Sequence, residues 1–444
     1  MTNTRSMTEG KPWVHIISFS LPVLLGSLLQ QLYNTVDTII VGNFASEEAL
    51  SAVGTTGTLS FLFLAVAMGF SSGNGVSVAQ FFGAKDYDKV KSVAATGVLF
   101  LMTLGLVSAV LGIALSYPAF KYFVDVPSEI LDQTLLYFRI YAVGLIFQYG
   151  YNIFSSILRG VGDSKATLYF LLISSVLNIG LDLLFVAVFN WGVAGAAIAT
   201  DISQAVSLIA AYIYMEKKYS FFRFSARDFT FNADNMRITV KIGFPISLQL
   251  IVVSFGLTVI QRAVNSFGQV MTATFTVGQR MEMYMNLPCN AMQTTLATYT
   301  GQNVGAGKMD RVRQGARQTV FISLIFTLII SALLWIFSKN IISLFGLGQQ
   351  SALYCASYLK TIAFINIILA CYVPLFGLYQ GCGHSVFPMI VAFSALTTRV
   401  FVTYLLKDST FIGYRIIWWN GMFGFSVGFI ITWAYYFSRK WLKR

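Results

Sequence analysis

Long apolar runs, each near the length of a bilayer crossing, alternate along this chain with short polar stretches. A crossing helix needs about 20 apolar residues. That length places spans near residues 14–42, 49–79, 92–117, 129–157, 167–189 and 192–215. A second set follows near 238–266, 270–300, 318–345, 353–379, 386–406 and 411–437. The pattern predicts an all-α integral membrane protein with about twelve transmembrane helices. Residues 216–237 are the longest polar interruption and divide the spans six and six. The expected organisation is a first lobe over 1–215, a connecting segment over 216–237, and a second lobe over 238–444 ending in a basic tail.

The two halves repeat one another. Phe19-Ser-Leu-Pro22 corresponds to Ile242-Gly-Phe-Pro245, and Gln80-Phe-Phe-Gly-Ala-Lys85 to Gln302-Asn-Val-Gly-Ala-Gly-Lys308. Arg159-Gly-Val-Gly-Asp163 corresponds to Gln380-Gly-Cys-Gly-His384, all at offsets of 221 to 223 residues. An even number of spans per half makes the repeats parallel, related by an axis along the membrane normal. Two six-helix halves enclosing a cavity at the membrane midplane is transporter architecture. A channel would more often repeat a small subunit around a pore, and an enzyme would need a catalytic constellation. Neither Gly83-Ala-Lys-Asp nor Gly305-Ala-Gly-Lys has the spacing of a phosphate-binding loop, so no enzyme or nucleotide cofactor is expected.

Composition agrees with the pattern. The chain is 56% hydrophobic and 11% charged, whereas a soluble domain carries charge at roughly a quarter of its positions. A formal charge of +12 raises nucleic acid as a partner, but the distribution of the basic residues accounts for it. With Arg5 and Lys11 inside, the basic groups at 85–91, 159–165, 217–241, 308–317 and 439–444 also fall inside. Only Lys121, Lys339 and Lys407 fall in outside loops. Basic residues mark the cytoplasmic side, so both termini are expected in the cytoplasm and the protein in the cell (inner) membrane, with no nucleic-acid partner. The four cysteines lie mostly in apolar segments without CxxC spacing, which makes them small buried hydrophobes rather than metal ligands. His15 and His384 each lack a second histidine for metal binding.

Of eighteen acidic residues only Asp37, Asp182, Asp201 and Glu282 lie well inside predicted spans. A carboxylate at that depth costs several kcal/mol, so it is usually paired, cavity-facing or functional. Gln30, Asn34 and Asp37 share one face of the first helix, and Asn178 and Asp182 share one face of the fifth. Thr200 is offered by the sixth. Two carboxylates with amide and hydroxyl oxygens suit Na⁺, and they suit a proton equally, since close carboxyls take up protons as a pair. The structural alternative is a set of buried hydrogen bonds that fix helix packing. Asp201 points about 100° around the helix from Thr200, where it can extend the site, pair with a base or face the cavity.

The second half has no acid matching Asp37 or Asp182, and Arg399 stands at the place of Asn178. It does carry Glu282, followed by Asn286, Asn290 and Gln293 on one face beside Met281, Met283, Met285 and Met292. A negative charge with adaptable methionine surface suits bulky cations. Alternatively Glu282 forms a salt bridge with Arg262 or Arg280 that only joins two helices. Gln279 and Tyr372 are further cavity candidates.

Several ordered segments resemble the multidrug and toxic compound extrusion (MATE) family. They include Leu29-Gln-Gln-Leu-Tyr-Asn-Thr-Val-Asp37, Ala49-Leu-Ser-Ala-Val-Gly54, Gln80-Phe-Phe-Gly-Ala-Lys85 and Leu158-Arg-Gly-Val-Gly-Asp163. Asn178-Ile-Gly-Leu-Asp182, Gly192-Val-Ala-Gly-Ala-Ala-Ile-Ala-Thr200 and Gly301-Gln-Asn-Val-Gly-Ala-Gly307 continue the series over essentially the whole chain. The resemblance implies a secondary antiporter that exports organic, often cationic, compounds against entry of Na⁺ or H⁺. On the family's pattern Asp37, Asn178, Asp182 and Thr200 are the coupling-ion positions. Gln30, Asn34, Asp201, Gln279, Glu282, Asn286 and Tyr372 are then expected around the substrate, in a monomer. Members with acids in helices 7 and 10 differ from this chain, which puts the coupling in the first half. The runner-up is a lipid-linked oligosaccharide flippase of the related superfamily, which Arg139, Arg262, Arg280 and Arg399 would suit.

Overall fold

The computed structural model describes residues 6–343, 345 and 347–442. Arg5, Lys443 and Arg444, among the basic residues assigned to the inside, lie outside the described residues. Twelve long α-helices carry the described chain, which contains no strand. The first six are α1 (Pro12–Phe44), α2 (Glu47–Gly83), α3 (Tyr87–Pro118), α4 (Ser128–Gly160), α5 (Ser164–Asp182) and α6 (Gly192–Lys218). The second six are α7 (Ala233–Asn265), α8 (Gln269–Gly305), α9 (Met309–Ser343), α10 (Gln349–Gly381), α11 (Val386–Leu406) and α12 (Ile416–Ser438). Each expected span is found, most ends lying within a few residues of the expected ones; α12 starts at Ile416 rather than 411, and α5 gives way to π geometry after Asp182.

The repeat is visible in the helices themselves. α1 and α7 are both 33 residues long, α2 and α8 both 37, and α4 and α10 both 33. The turns between them also match. Gly162 and Gly383 take φ of +90° and +87° after α4 and α10, while Lys85 and Gly307 take +61° and +73° after α2 and α8. At each turn the chain closes back on the helix through an i→i−5 bond: Asp163 N to Leu158 O, His384 N to Tyr379 O, Asp86 N to Phe81 O and Lys308 N to Asn303 O. This is the left-handed helix stop that glycine favours. The next helix starts at once, with Asp86 capping α3 through Lys89 N and Asp163 capping α5 through Ala166 N.

Eleven helices are long and apolar enough to count as spans by hydropathy. α8 is the twelfth and fails that measure, because Gln279, Arg280, Glu282, Asn286, Asn290 and Gln293 dilute it. Its length and its position in the repeat nevertheless match those of α2.

The chain forms two compact units. Unit 1 is built on Leu21–Ser247, and unit 2 on the chain from Leu248 onward together with Thr8–Ser20. Within unit 1, α4 is the central helix, packing on α2, α3 and α6, while α5 packs on α6. Within unit 2, α10 takes the same role against α8, α9 and α12, and α11 packs on α12. The unit boundary therefore falls inside α7 rather than in the polar stretch 216–237. The reason is packing. Tyr219 and Phe222 are buried against the aromatic core of unit 1, and Lys91 pairs with Asp228 at 2.8 Å. The first half of α7 is pressed onto α2, where a Cβ on Gly73 would lie 2.6 Å from both Gly243 N and Thr239 O. Close backbone approach over small residues is the usual means by which membrane helices associate.

A second tie holds the polar ends of α5 and α6 together. Asp163 accepts hydrogen bonds from Lys218 at 2.7 Å, Tyr219 at 2.8 Å and Tyr214 at 2.9 Å. Burial by itself would raise the carboxyl's pKa, but the bonds from Lys218, Tyr219 and Tyr214 outweigh it and hold the group below its ordinary value.

Two stability tests follow from these contacts. Gly73→Val should lower the thermal midpoint of the purified protein in detergent, by a cost of about 1–3 kcal/mol for overpacking a backbone contact. Gly54→Ala, where a Cβ meets nothing within 4 Å, should stay within about 0.5 kcal/mol. Asp163→Asn should also lower the midpoint at neutral pH. A depressed carboxyl contributes stability above its unfolded-state value and loses it as pH falls through the folded one. The gap between wild type and Asp163→Asn should therefore close below the ordinary carboxylate range, and a gap independent of pH would refute the role given to the charge.

Candidate functional site

The acidic cluster of unit 1 is built by α1, α4, α5 and α6. Asp182 is fully buried at the last α-helical position of α5. Immediately after it the helix widens to π geometry over Leu183–Val188, closed by the i→i−5 bond from Phe189 N to Leu184 O at 2.9 Å. Single π turns inside helices often mark functional positions. Asp37, half-buried on α1, brings its carboxyl within hydrogen-bonding reach of Asp182. No donor serves Asp37 Oδ1 or either oxygen of Asp182. The two statements agree physically: ionised carboxylates only accept, so a bond between them forms only when a proton is added.

Asn178, one turn before Asp182, is 1% exposed. Its Nδ2 donates to Thr200 Oγ1 at 3.5 Å, a long bond, and its Oδ1 is buried without a partner. The structure thus brings together Asp37 with Asp182 and Asn178 with Thr200. It adds tyrosines that the sequence pattern did not single out. Tyr33 and Tyr137 both lie within electrostatic range of Asp37 and Asp182, and Tyr141 neighbours Tyr33 and Tyr137. Tyr137 and Tyr141 stack at 6.4 Å, and Tyr141 donates to Gln148 at 3.1 Å. The only sequence signal for them was Tyr33 inside the Leu29–Asp37 segment, four residues before the acid.

The remaining candidates fall in several places. Gln30 and Asn34 are exposed along α1. Asp201 is 9% exposed on α6, against the backbone of Gly144 on α4, with Tyr141 nearby. No basic side chain pairs with it among the described residues, and its Oδ1 has no donor. Of its three expected roles, pairing with a base is therefore removed.

In unit 2, Glu282 is half-buried and accepts from Tyr358 Oη at 3.3 Å. It makes no ion pair with Arg262 or Arg280 among the described residues, and Arg280 is exposed. The alternative of a bridge from Glu282 to one of these two arginines is thus removed. Gln279 and Asn286 are half-buried beside it on α8, with Asn286 Oδ1 lacking a donor. Tyr372 is corrected too. It is 4% exposed in an apolar core with Cys289, Ile365 and Phe376, its hydroxyl end against Gly428. An aromatic in a span packs more readily than it lines a cavity.

A family model, MatE, matches residues 22–184 and 245–405. The chain belongs to the MatE family. Its two matched stretches begin at Pro22 and Pro245, so the family recognises the same repeat that the three sequence anchors mark. The chain is similar to the probable multidrug resistance protein YoeA of Bacillus subtilis, 26% identical over 99% of this chain and 96% of that one. It is also similar to the probable multidrug resistance protein YpnP of Bacillus subtilis, 30% identical over 85% of this chain and 84% of that one. Among solved structures, a MATE crystal structure in the straight conformation superposes with a TM-score of 0.93, covering 99% of this chain and 98% of that one at 24% identity. At that identity the likeness shows the fold alone.

Within this MatE chain, the contact of Asp201 with Gly144 makes a direct test. A Cβ on Gly144 would fall 1.7 Å from Asp201 Oδ1. Gly144→Ala should therefore destabilise by about 1–3 kcal/mol, and the loss should shrink when Asp201 is first changed to Ser. Additive losses in thermal unfolding would show that the carboxyl is not what Gly144 accommodates.

Proposed function

We propose that this MatE protein is a secondary antiporter that exports organic, cationic compounds in exchange for inward Na⁺ or H⁺. Asp37 and Asp182, with Asn178 and Thr200, hold the coupling cation. The observation that carries the reading is the facing pair of carboxyls in an apolar span with no donor to satisfy them. Four buried oxygens, on Asp37, Asn178 and Asp182, lack donors, and such a set has one chemistry to offer. It accepts a hard cation, or a proton shared between the carboxyls. It has no soft ligands and no residues arranged to transform a substrate.

Binding relieves the repulsion of the acid pair, so the loaded site and the empty one favour different states of the surrounding helices. An ion moves such an equilibrium only by its difference in affinity for the two states, and the same difference is felt, reciprocally, by the exported compound. Tyr33 and Tyr137 lie near the pair. The relatives named for multidrug resistance support organic compounds as cargo. The same names favour export over the flipping of lipid-linked glycans. The protein acts as a monomer in the cell membrane with both termini in the cytoplasm, as the basic loops imply.

The test is transport by purified protein in proteoliposomes, with a Na⁺ or a pH gradient imposed separately. Asp37→Asn should abolish gradient-driven export of a cationic dye while the protein inserts and melts as wild type does. Undiminished export by Asp37→Asn under both gradients would sink the assignment. The gradient that drives the wild type names the ion.

A further inference from the structure

Unit 2 contains a second buried polar cluster, and its chemistry is unlike the first. Glu282 of α8, Tyr358 and Asn366 of α10 and Arg399 of α11 line one small pocket. There is room in it for about one water, which excludes any drug-sized occupant. Arg399 is 9% exposed, donates Nε–H to Asn420 Oδ1 at 2.8 Å and lies 5.0 Å from the Phe425 ring. Asn420 is held in turn by Ile417 O. Asn366 is 1% exposed, and neither atom of its amide has a partner. The charged and titratable groups that Tyr358 feels are Glu282 of α8, Arg399 of α11 and Cys355 of α10. α12 adds Asn420 and Trp418, neither charged.

The repeat gives this pocket its meaning. Tyr358 stands 221 residues after Tyr137, which faces the acid pair of unit 1, and Arg399 stands 221 residues after Asn178. The positions matching Asp37 and Asp182 are Ile260 and Thr403, both fully buried. Unit 2 thus has an apolar and a hydroxyl residue where unit 1 has acids, and a guanidinium where unit 1 has an amide.

We propose that Arg399 is a tethered cation that occupies the unit 2 counterpart of the coupling site and neutralises Glu282 across the pocket, so that this half takes up no exchangeable ion. The assignment rests on the reading of Asp37 and Asp182 as the coupling pair. An uncompensated charge buried at this depth is strongly destabilising, and one permanent cation facing one acid removes that cost for both. Asn366 lines the same pocket with an uncharged, unpartnered amide, so it leaves the balance between the two charges to Glu282 and Arg399. Arginine suits the role because its charge persists at every working pH.

The experiment measures the thermal midpoint of the full chain in detergent as Na⁺ and pH are varied. The Asp37→Asn/Asp182→Asn double variant should lose the cation response of the wild type. Adding Arg399→Gln to it should create a new response, and adding Glu282→Gln should abolish that one. If the double variant keeps a response that Glu282→Gln removes, Glu282 already takes an exchangeable cation and the proposal is overturned. If wild type and double variant respond identically, the reading of the acid pair fails. The Arg399 assignment is then still decided by whether Arg399→Gln adds a response that needs Glu282. Should Arg399→Gln fail to fold, Glu282→Gln/Arg399→Gln should melt above either single variant, and additive losses would refute the pairing.

Discussion

A carboxylate within a membrane span has no water to solvate it, and the polar chemistry of this protein follows from how each one is compensated. Asp37 and Asp182 are compensated worst by the protein itself. They face each other, neither can donate while ionised, and the surrounding tyrosines bring bulk more than charge. Whatever relieves them must come from outside and carry positive charge. In the proposed function that dependence makes the buried acid pair a coupling device. A pair fully satisfied by the fold would have no reason to exchange anything.

The helical frame has to hold that unfavourable arrangement in place. Its tools are backbone contacts over glycine, which need no polar groups and lose little when buried. Gly73 meets Gly243, Gly75 meets Ser156, and in unit 2 Gly377 meets the backbone of Gln293. These contacts bring α2 onto the first half of α7 and onto α4, and α10 onto α8, closer than side chains would allow. At the polar ends the frame is fixed by groups that remain near water, Asp163 with Tyr214, Lys218 and Tyr219 in unit 1, and Arg311 with Asn303 and the carbonyls of Glu9 and Gly10 in unit 2.

Much of this was legible in the sequence because membrane helices are written in length and hydropathy. All twelve spans, the repeat and the two acids of the pair could be read directly. α8 shows where that language ends. Its polar residues were visible and placed on a span, yet its partners were not, since helical spacing describes one helix and Glu282 meets Tyr358 from another. For the same reason Arg280, one turn of logic away on the same helix as Glu282, was a natural suspect and proved exposed. Tyr137 and Tyr141 left no sequence trace, as aromatics fill every membrane helix here. The stretch 216–237 looked like a linker by polarity, but Tyr219 and Phe222 bury it against unit 1.

Symmetric ancestry and asymmetric chemistry then have a common explanation. A repeat duplicates backbone geometry, so both units inherit the same turns, the same central helix and a tyrosine at the same position. It also duplicates a pocket whose charge must be settled in each copy. In the proposed function unit 1 settles it with a cation that comes and goes. Unit 2 has no acid at the matching positions, carries Glu282 on α8 instead, and faces it with Arg399, whose guanidinium is anchored by Asn420 and Phe425. A pocket with room for about one water excludes a large counter-ion, and Arg399 on its wall already supplies a positive charge from within the chain. In the proposed function one half then responds to an ion gradient while the other keeps its charge balance unchanged.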